Sequence, residues 1–196
     1  DRRSGLGPRQ RPGRTRHLRA GLTMDPQADT PTWHDIPVVD WQGGPLDCAT
    51  CVHQALQAQG GCHPGRSCMQ DAYARRIDRF FRTHPALANQ HLQHPYFEVR
   101  AIAARHADLF LLPGLLADPD ETVRMQLALR LPQRQLSRMR DDPHREVRIR
   151  VAHRLADAEL PTMLHDADEA VRLVVAKRLA LPLLPQLMHD SDAQVR

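Results

Sequence analysis

Four cysteines are the residues in this sequence best suited to carry chemistry. They are Cys48, Cys51, Cys62 and Cys68, and the sequence has no other cysteine. Together they form the pattern C-x2-C-x10-C-x5-C. Clustered cysteines without an export signal favour metal ligation over disulfide bonds. Thiolates collected from a loop-rich segment suit zinc or an iron–sulfur cluster. Zinc sites usually draw their ligands from two closely spaced cysteine pairs, and here only Cys48 and Cys51 have that spacing. The pattern therefore favours an iron–sulfur cluster, with zinc and disulfides as alternatives.

The segment around Cys68 predicts the start of a helix. Ser67 and Gln70 have capping-box spacing, with Ser67 as N-cap and Gln70 at N3. Cys68 would then lie in the first turn, where free N–H groups face an anionic centre. The helix is predicted to end before His84, because a proline follows. We expect it to cap the following repeats with an apolar face of Tyr73, Ile77, Phe80 and Phe81.

Other residues near the cysteines could support or replace them as ligands. The glycines at 60, 61 and 65 predict turns that bring backbone N–H groups towards sulfur. His53 and His63 are alternative ligands, although four cysteines already make a full set. An apolar cover is expected from upstream residues, which are Trp33, Ile36, Val38, Val39 and Trp41.

The second half of the sequence is a repeat with a period of 24 residues. The dipeptide Val-Arg begins at residues 99, 123, 147, 171 and 195, and columns of Ala, Leu and Asp keep the same spacing. Asp118-Pro119 followed by Glu121 has the pattern of a helix start, with Asp118 as N-cap. A helix of about eleven residues would follow, with Val123, Leu127 and Leu131 on one face. The remainder of each unit, such as residues 160–164, is long enough for about one 3₁₀ turn.

Two arginine columns accompany the aspartate column of the repeat. They are Arg100, Arg124, Arg148 and Arg172, and then Arg130, Arg154 and Arg178. Because residues 95–196 hold equal numbers of acidic and basic residues, both columns are predicted to pair with the aspartates of adjacent units. The alternative is a ladder of arginines that reads a ligand.

The basic character of the chain resides in residues 1–23, which hold seven arginines and one aspartate. Residues 24–94 carry a net charge of −2 and residues 95–196 a net charge of zero. A nucleic-acid-binding domain normally presents a basic face, so nucleic acid is expected as a partner only through this tail. The tail has no apolar run of the kind a signal peptide needs. We predict a disordered tail, a cytoplasmic location and no membrane partner.

The cysteine segment and the repeat together resemble the leucine-rich repeat variant family, 4Fe–4S-binding repeat proteins of nitrogen-fixing bacteria. The resemblance rests on C-x2-C-x10-C-x5-C and on the unit V-R-x3-A-x-R-L, and it covers roughly residues 40–196. It implies an all-α, right-handed superhelical solenoid of alternating α and 3₁₀ helices. It also implies a [4Fe–4S] cluster, with Cys48, Cys51, Cys62 and Cys68 as its ligands. The basic tail has no counterpart in the family.

These patterns predict three parts and a function without catalysis. The parts are the tail over 1–23, an iron–sulfur module with its cap helix over 24–85, and repeats over 86–196. Since residues 195–196 begin a repeat that the sequence does not finish, we expect a fragment.

No nucleophile–base pair, phosphate loop or paired-acid motif occurs in the sequence. We expect a scaffold for protein partners whose cluster has a structural, redox-sensing or iron-sensing role. The alternatives are an electron-transfer protein that docks a redox partner, and a structural zinc-binding repeat protein.

Overall fold

The computed structural model describes residues 36–196, in which the regular elements are helices. The α-helices are α1 Gln54–Ala58, α2 Ala74–Thr83, α3 Phe97–His106, α4 Glu121–Arg130, α5 Gln133–Leu136, α6 Arg145–Arg154 and α7 Glu169–Arg178. The 3₁₀ segments are η1 Pro85–His91, η2 Leu112–Leu115, η3 Ser137–Met139, η4 Leu160–Met163 and η5 Leu181–Leu187. Extended pairing in this range is limited to isolated bridges. No helix in this range is both long and apolar enough to cross a membrane.

The elements alternate as the repeat predicts. The helices α3, α4, α6 and α7 each have 10 residues, and their first residues keep the spacing of the Val-Arg dipeptides. Short segments separate them, and η4 lies at the predicted 3₁₀ turn. One unit differs, because α5 is a short α-helical turn that runs directly into η3. The predicted all-α solenoid of alternating α and 3₁₀ helices is confirmed.

The apolar columns of the repeat form the core. Val123, Leu127 and Leu131 are fully buried, as predicted, and the equivalent positions of the next unit, Val147, Val151 and Leu155, are buried too. Each long helix packs on the next, α3 on α4, α4 on α6, and α6 on α7. Full burial of a large aliphatic side chain stabilises a fold by about 1.5–3 kcal/mol. The repeats are therefore held by contacts between successive units, as in other solenoids.

The repeat helices begin later than the sequence predicts. In α4 the N-cap is Asp120, whose Oδ1 accepts a hydrogen bond of 2.8 Å from the N–H of Thr122. Asp168 caps α7 in the same way. The prediction of Asp118 as N-cap is wrong, because its Oδ1 accepts from the N–H of Asp120 at 3.0 Å and its carboxylate pairs with an arginine.

The first arginine column forms a ladder of buried and partly buried ion pairs between units. Arg124 donates through Nε and Nη2 to the two carboxylate oxygens of Asp142, at 2.8 and 3.1 Å. Its Nη1 also donates to the carbonyl of Asp118 at 2.7 Å. The same geometry joins Arg100 to Asp118, Arg148 to Asp166, and Arg172 to Asp190. The predicted pairing is confirmed for this column, whose arginines are committed to the fold.

The second arginine column contacts backbone carbonyls, so its predicted pairing with the aspartate column is wrong. Arg154 donates to the carbonyls of Ala128 and Leu131, at 2.6 and 3.1 Å, at the end of α4. Arg130 and Arg178 contact the ends of α3 and α6 in the same way. The last carbonyls of a helix lack partners within it, and a cation is stabilised at that end. Each arginine therefore caps the helix of the preceding unit.

One core connects the cysteine segment with the repeats. Residues 37–196 form one compact unit, and a continuous set of buried apolar side chains extends from Cys62 through Phe80 and Phe81 to Val195. The predicted division at residue 85 marks a change of sequence pattern inside this core. The predicted tail over 1–23, together with residues 24–35, lies outside the described residues.

Candidate metal centre

The four cysteines lie at the end of the solenoid that precedes the repeats. Cys48 and Cys51 belong to the loop before α1, and both are partly exposed. Cys62 follows α1 and Cys68 precedes α2, and these two thiols are 9% and 8% exposed. All four are free thiols. The loop structure predicted for the segment is therefore present, with half of the set buried and half near the surface.

A tight turn brings Cys62 and Cys68 to the same end of the molecule. His63 and Ser67 form a bridge, in which the N–H of His63 donates to the carbonyl of Ser67 at 2.8 Å. Gly65 lies in this turn with a φ of 75°, a conformation that L side chains rarely adopt. A Cβ at this position would also lie 3.0 Å from a methyl group of Val38. The turn predicted at this glycine is confirmed, and it sets the spacing between the two buried cysteines.

The predicted capping box at Ser67 is wrong. Helix α2 begins at Ala74 with Tyr73 as N-cap, and Ser67 is held in the bridge with His63. Cys68 therefore lies before the helix and not in its first turn. It is still attached to α2, because its N–H donates to the carbonyl of Arg76 at 3.2 Å. The predicted end of the helix before His84 is confirmed.

A buried ion pair performs the positioning that the capping box was expected to provide. Asp71 is fully buried and accepts a hydrogen bond of 2.8 Å from the N–H of Tyr73. Arg76 donates through Nη1 to Asp71 Oδ2 at 3.1 Å and to the carbonyl of Pro37 at 2.9 Å. These residues join the segment before the cysteines to the start of α2. An aspartate two residues before the N-cap, with an arginine on the following helix, is the signal that could have indicated them.

The cysteines interact electrostatically, and burial shifts the pKa values of two of them. Burial raises the pKa of Cys62, and the nearby Cys51 and Cys48 raise it further. Burial also raises the pKa of Cys68 to about 11, with added contributions from Asp71, Cys51 and Cys62 and partial opposition from the N–H of Gln70. Four thiolates at one site require a positive centre, and binding of metal to them releases protons. The donor set, its partial burial and its loop-rich setting fit an iron–sulfur cluster.

The candidate alternative ligands have other partners. His53 is buried, and its Nε2 lies 2.8 Å from Nε2 of His91 in η1. The Nδ1 of His63 donates to the carbonyl of Pro64 at 2.7 Å. Within residues 36–196, no group of three or more His, Cys, Asp or Glu side chains is arranged to hold a metal ion. His53 does contribute near the site, since its N–H donates to Cys51 Sγ at 3.4 Å.

Histidines that the sequence analysis did not single out join the cysteine loop to the first repeat. Besides the contact of His91 with His53, the Nε2 of His84 donates to the carbonyl of Gly61 at 2.7 Å, beside Cys62. His84 precedes η1, and His91 is its last residue. Only the pairing of elements in space identifies these contacts, because the partners are far apart in sequence.

The predicted apolar cover is only partly formed. Val38 is 44% exposed, and Ile36, Val39 and Trp41 are half-buried. Trp41 stacks on Tyr96 with ring centroids 6.0 Å apart, so it covers the entry to α3. Trp33 lies outside the described residues. Of these side chains, Val38 lies against the turn at Gly65 between the two buried cysteines.

Comparisons with known proteins support both halves of this description. A family model described as "LRV protein FeS4 cluster" matches residues 38–90. An uncharacterized 27.7 kDa protein in the nifB 3' region of Rhodobacter capsulatus is 52% identical over 94 residues, which are 48% of this chain and 38% of that protein. A solved structure described as a leucine-rich repeat variant with a novel repetitive structural motif aligns with a TM-score of 0.74 and 44% identity. That alignment covers 77% of this chain and 65% of the other.

The fold and the site define an iron–sulfur-binding helical repeat protein. Within that class, the matched family model, the aligned structure and the similar protein of Rhodobacter capsulatus all support the leucine-rich repeat variant family. The resemblance inferred from the cysteine spacing and the 24-residue unit is confirmed. The chain matches well under half the length of its curated relative, 38%.

Proposed function

We propose that this protein is a non-catalytic [4Fe–4S]-binding scaffold for protein partners, in which the cluster completes the end of the solenoid. The observation that carries the proposal is the continuous core between the site and the repeats. Ile77, Phe80 and Phe81 of α2 are fully buried, and α2 packs on α3. The end of a solenoid needs a cap over its apolar face, and α2 provides that cap.

The residues of the chain have distinct roles in this arrangement. Cys48, Cys51, Cys62 and Cys68 hold the cluster through their thiolates. When bound, the cluster supplies a fixed link between four loop positions and a centre that can take up or release one electron. The Cys68 amide is tied to α2 through the carbonyl of Arg76, so the link extends into the cap helix. A cluster-loaded cap would hold the first repeat in place.

The repeats supply surface and not chemistry in this proposal. Their arginine columns are committed to aspartates and to helix carbonyls, which leaves the fold rigid along its length. The curated relative is described by a position next to a nitrogen-fixation gene. We connect this protein with nitrogen fixation on that basis and keep a cytoplasmic location as part of the proposal.

A second candidate function is electron transfer to a docked redox partner. Partial exposure of Cys48 and Cys51 favours it, as does Val52, which is 77% exposed beside them. An apolar side chain at the edge of a cluster suits a transient protein contact. A reversible potential within reach of cellular donors would favour this candidate over a purely structural cluster.

Metal analysis tests the proposal. Anaerobically purified protein should hold about four iron atoms and four acid-labile sulfides per chain, as a Cys₄-ligated [4Fe–4S] cluster requires. Each single Cys→Ser variant at 48, 51, 62 or 68 should lose most of its iron and sulfide. Stoichiometric zinc without sulfide would show instead that the protein is a structural zinc-binding repeat protein.

A further inference from the structure

A pocket of about 350 Å³ lies directly beside Cys62, and no acidic side chain lines it. Arg66 comes from the turn after Cys62, and Arg79 comes from α2. Gln57, His63, Ser67 and Thr83 complete its polar lining. The pocket is therefore cationic and adjoins one of the two buried cysteines.

The two arginines of this pocket differ from those of the repeat. In the part of the chain that the structure describes, neither Arg66 nor Arg79 has a carboxylate partner, whereas Arg124 is paired with Asp142. Arg79 donates through Nη1 to the carbonyl of Arg66 at 2.8 Å, which holds its guanidinium at the mouth of the pocket. Its remaining N–H groups and the whole guanidinium of Arg66 are available to an acceptor.

Ser67 adds an independent indication of a missing partner. Ser67 lines this pocket, and its Oγ is buried without a hydrogen-bond partner in the described residues. A buried hydroxyl without a partner costs about 1–3 kcal/mol. An acceptor in the pocket removes that cost only if the hydroxyl rotates towards it.

We propose that this pocket receives an acidic segment of a protein partner, whose carboxylates pair with Arg66 and Arg79 next to the cluster. The inference rests on the proposed scaffold function and names the chemistry of its partner. Guanidinium groups bind carboxylates through two parallel hydrogen bonds, and both side chains are exposed and reach from separate elements. Complementary charge of this kind steers association and sets the orientation of the partner.

Peptide binding to the cluster-loaded protein tests the proposal. The probe is a fluorescently labelled peptide of alternating Glu and Gly, and the same peptide with Gln in place of Glu is the control. At low ionic strength, where charges are little screened, the Glu peptide should bind and the Gln peptide should not. The double variant Arg66→Gln, Arg79→Gln should bind about fivefold to tenfold more weakly, as expected for the loss of two exposed ion pairs.

A matched variant separates this site from general charge. Arg134→Gln, Lys177→Gln removes the same charge from exposed positions of the repeats and should bind like the wild type. Arg66→Gln alone should show part of the loss, and it keeps the contact between Arg79 and the carbonyl of residue 66. In the reduced protein, the paramagnetic cluster should broaden the NMR signals of the bound peptide.

Equal losses in the two double variants, or no loss in either, would overturn the proposal. Inorganic phosphate that displaces the peptide at matched ionic strength and with comparable affinity would also overturn it, and would assign the pocket to small anions. Iron and sulfide are measured on the same samples. A sample that lacks iron and sulfide speaks against the proposed function, whereas loaded protein that fails to bind the peptide speaks against the docking site.

Discussion

The rings of His53 and His91 meet in the interior, with their Nε2 atoms 2.8 Å apart. His53 lies in the cysteine segment and His91 ends η1, so this contact joins the candidate metal centre to the first repeat. Phe80 packs on His53 and Phe81 on His91, at centroid distances of 5.2 and 5.5 Å. Burial lowers the pKa of His91 to about 4, so at neutral pH its ring is uncharged and the pair shares one proton between the two nitrogens.

Replacing His91 tests this link. In His91→Leu the Nε2 of His53 stays buried and loses its partner, which should lower the free energy of unfolding by about 1–3 kcal/mol. Urea denaturation of anaerobic, cluster-loaded protein measures the change. His153→Leu makes the same substitution at an exposed position of α6 and should stay within about 0.5 kcal/mol of the wild type. Equal stability of the His91 variant and the wild type would mean that the two rings do not stabilise the junction.

The ladder of ion pairs predicts a large difference between two adjacent aspartates. Asp142→Asn should destabilise the protein by about 3–5 kcal/mol, because it leaves Arg124 without its charged partner while both side chains are more than nine-tenths buried. Asp141→Asn is the control, since Asp141 is 88% exposed and pairs with a half-exposed Arg140. Its loss should be below about 1 kcal/mol. Thermal unfolding of the two variants measures the contrast, and similar losses would contradict the ladder.

The last ion pair of the ladder predicts a response to acid. The hydrogen bond from Arg172 lowers the pKa of Asp190 to about 2, with help from the N–H of Asp192. A lowered carboxylate pKa stabilises the fold above the ordinary pKa near 3.8, and this stabilisation is lost as the pH falls towards 2. The carboxyl carbon of Asp190 should therefore titrate near pH 2 by NMR. In Arg172→Gln its pKa should rise towards 3.8, and an unchanged titration would show that Arg172 does not hold it.

Removal of the cluster should affect the repeats in order of their distance from it. Without the cluster, the cap formed by α2 loosens, and the amides around Val99 in α3 should lose protection against hydrogen exchange. Those around Val171 in α7 should keep most of theirs, since units of a solenoid contact their neighbours. Exchange of cluster-loaded and cluster-free protein measures this gradient. Unchanged protection around Val99 would mean that the cluster forms a head independent of the repeats, which would favour electron transfer over a structural role.

The sequence alone determined the repeat, its core and the candidate ligands. A period of 24 residues fixes which side chains share a face, so Val123, Leu127 and Leu131 could be assigned to the core from spacing alone. The cysteine spacing likewise identified the candidate site without coordinates. Both are patterns within a short stretch of chain, and local periodicity reports them directly.

The tertiary structure decided which polar groups meet. The sequence predicted Asp118 as the N-cap of α4. In the folded chain Asp118 pairs with Arg100, and Asp120 caps the helix. Similarly, the bridge between His63 and Ser67 removed Ser67 from the start of α2, and Asp71 with Arg76 took its place. The second arginine column bonds carbonyls of the preceding helix, which no spacing rule distinguishes from pairing with aspartate. Apolar burial follows from the period of one element, whereas a hydrogen bond depends on the distance between two elements, and that distance exists only in the folded chain.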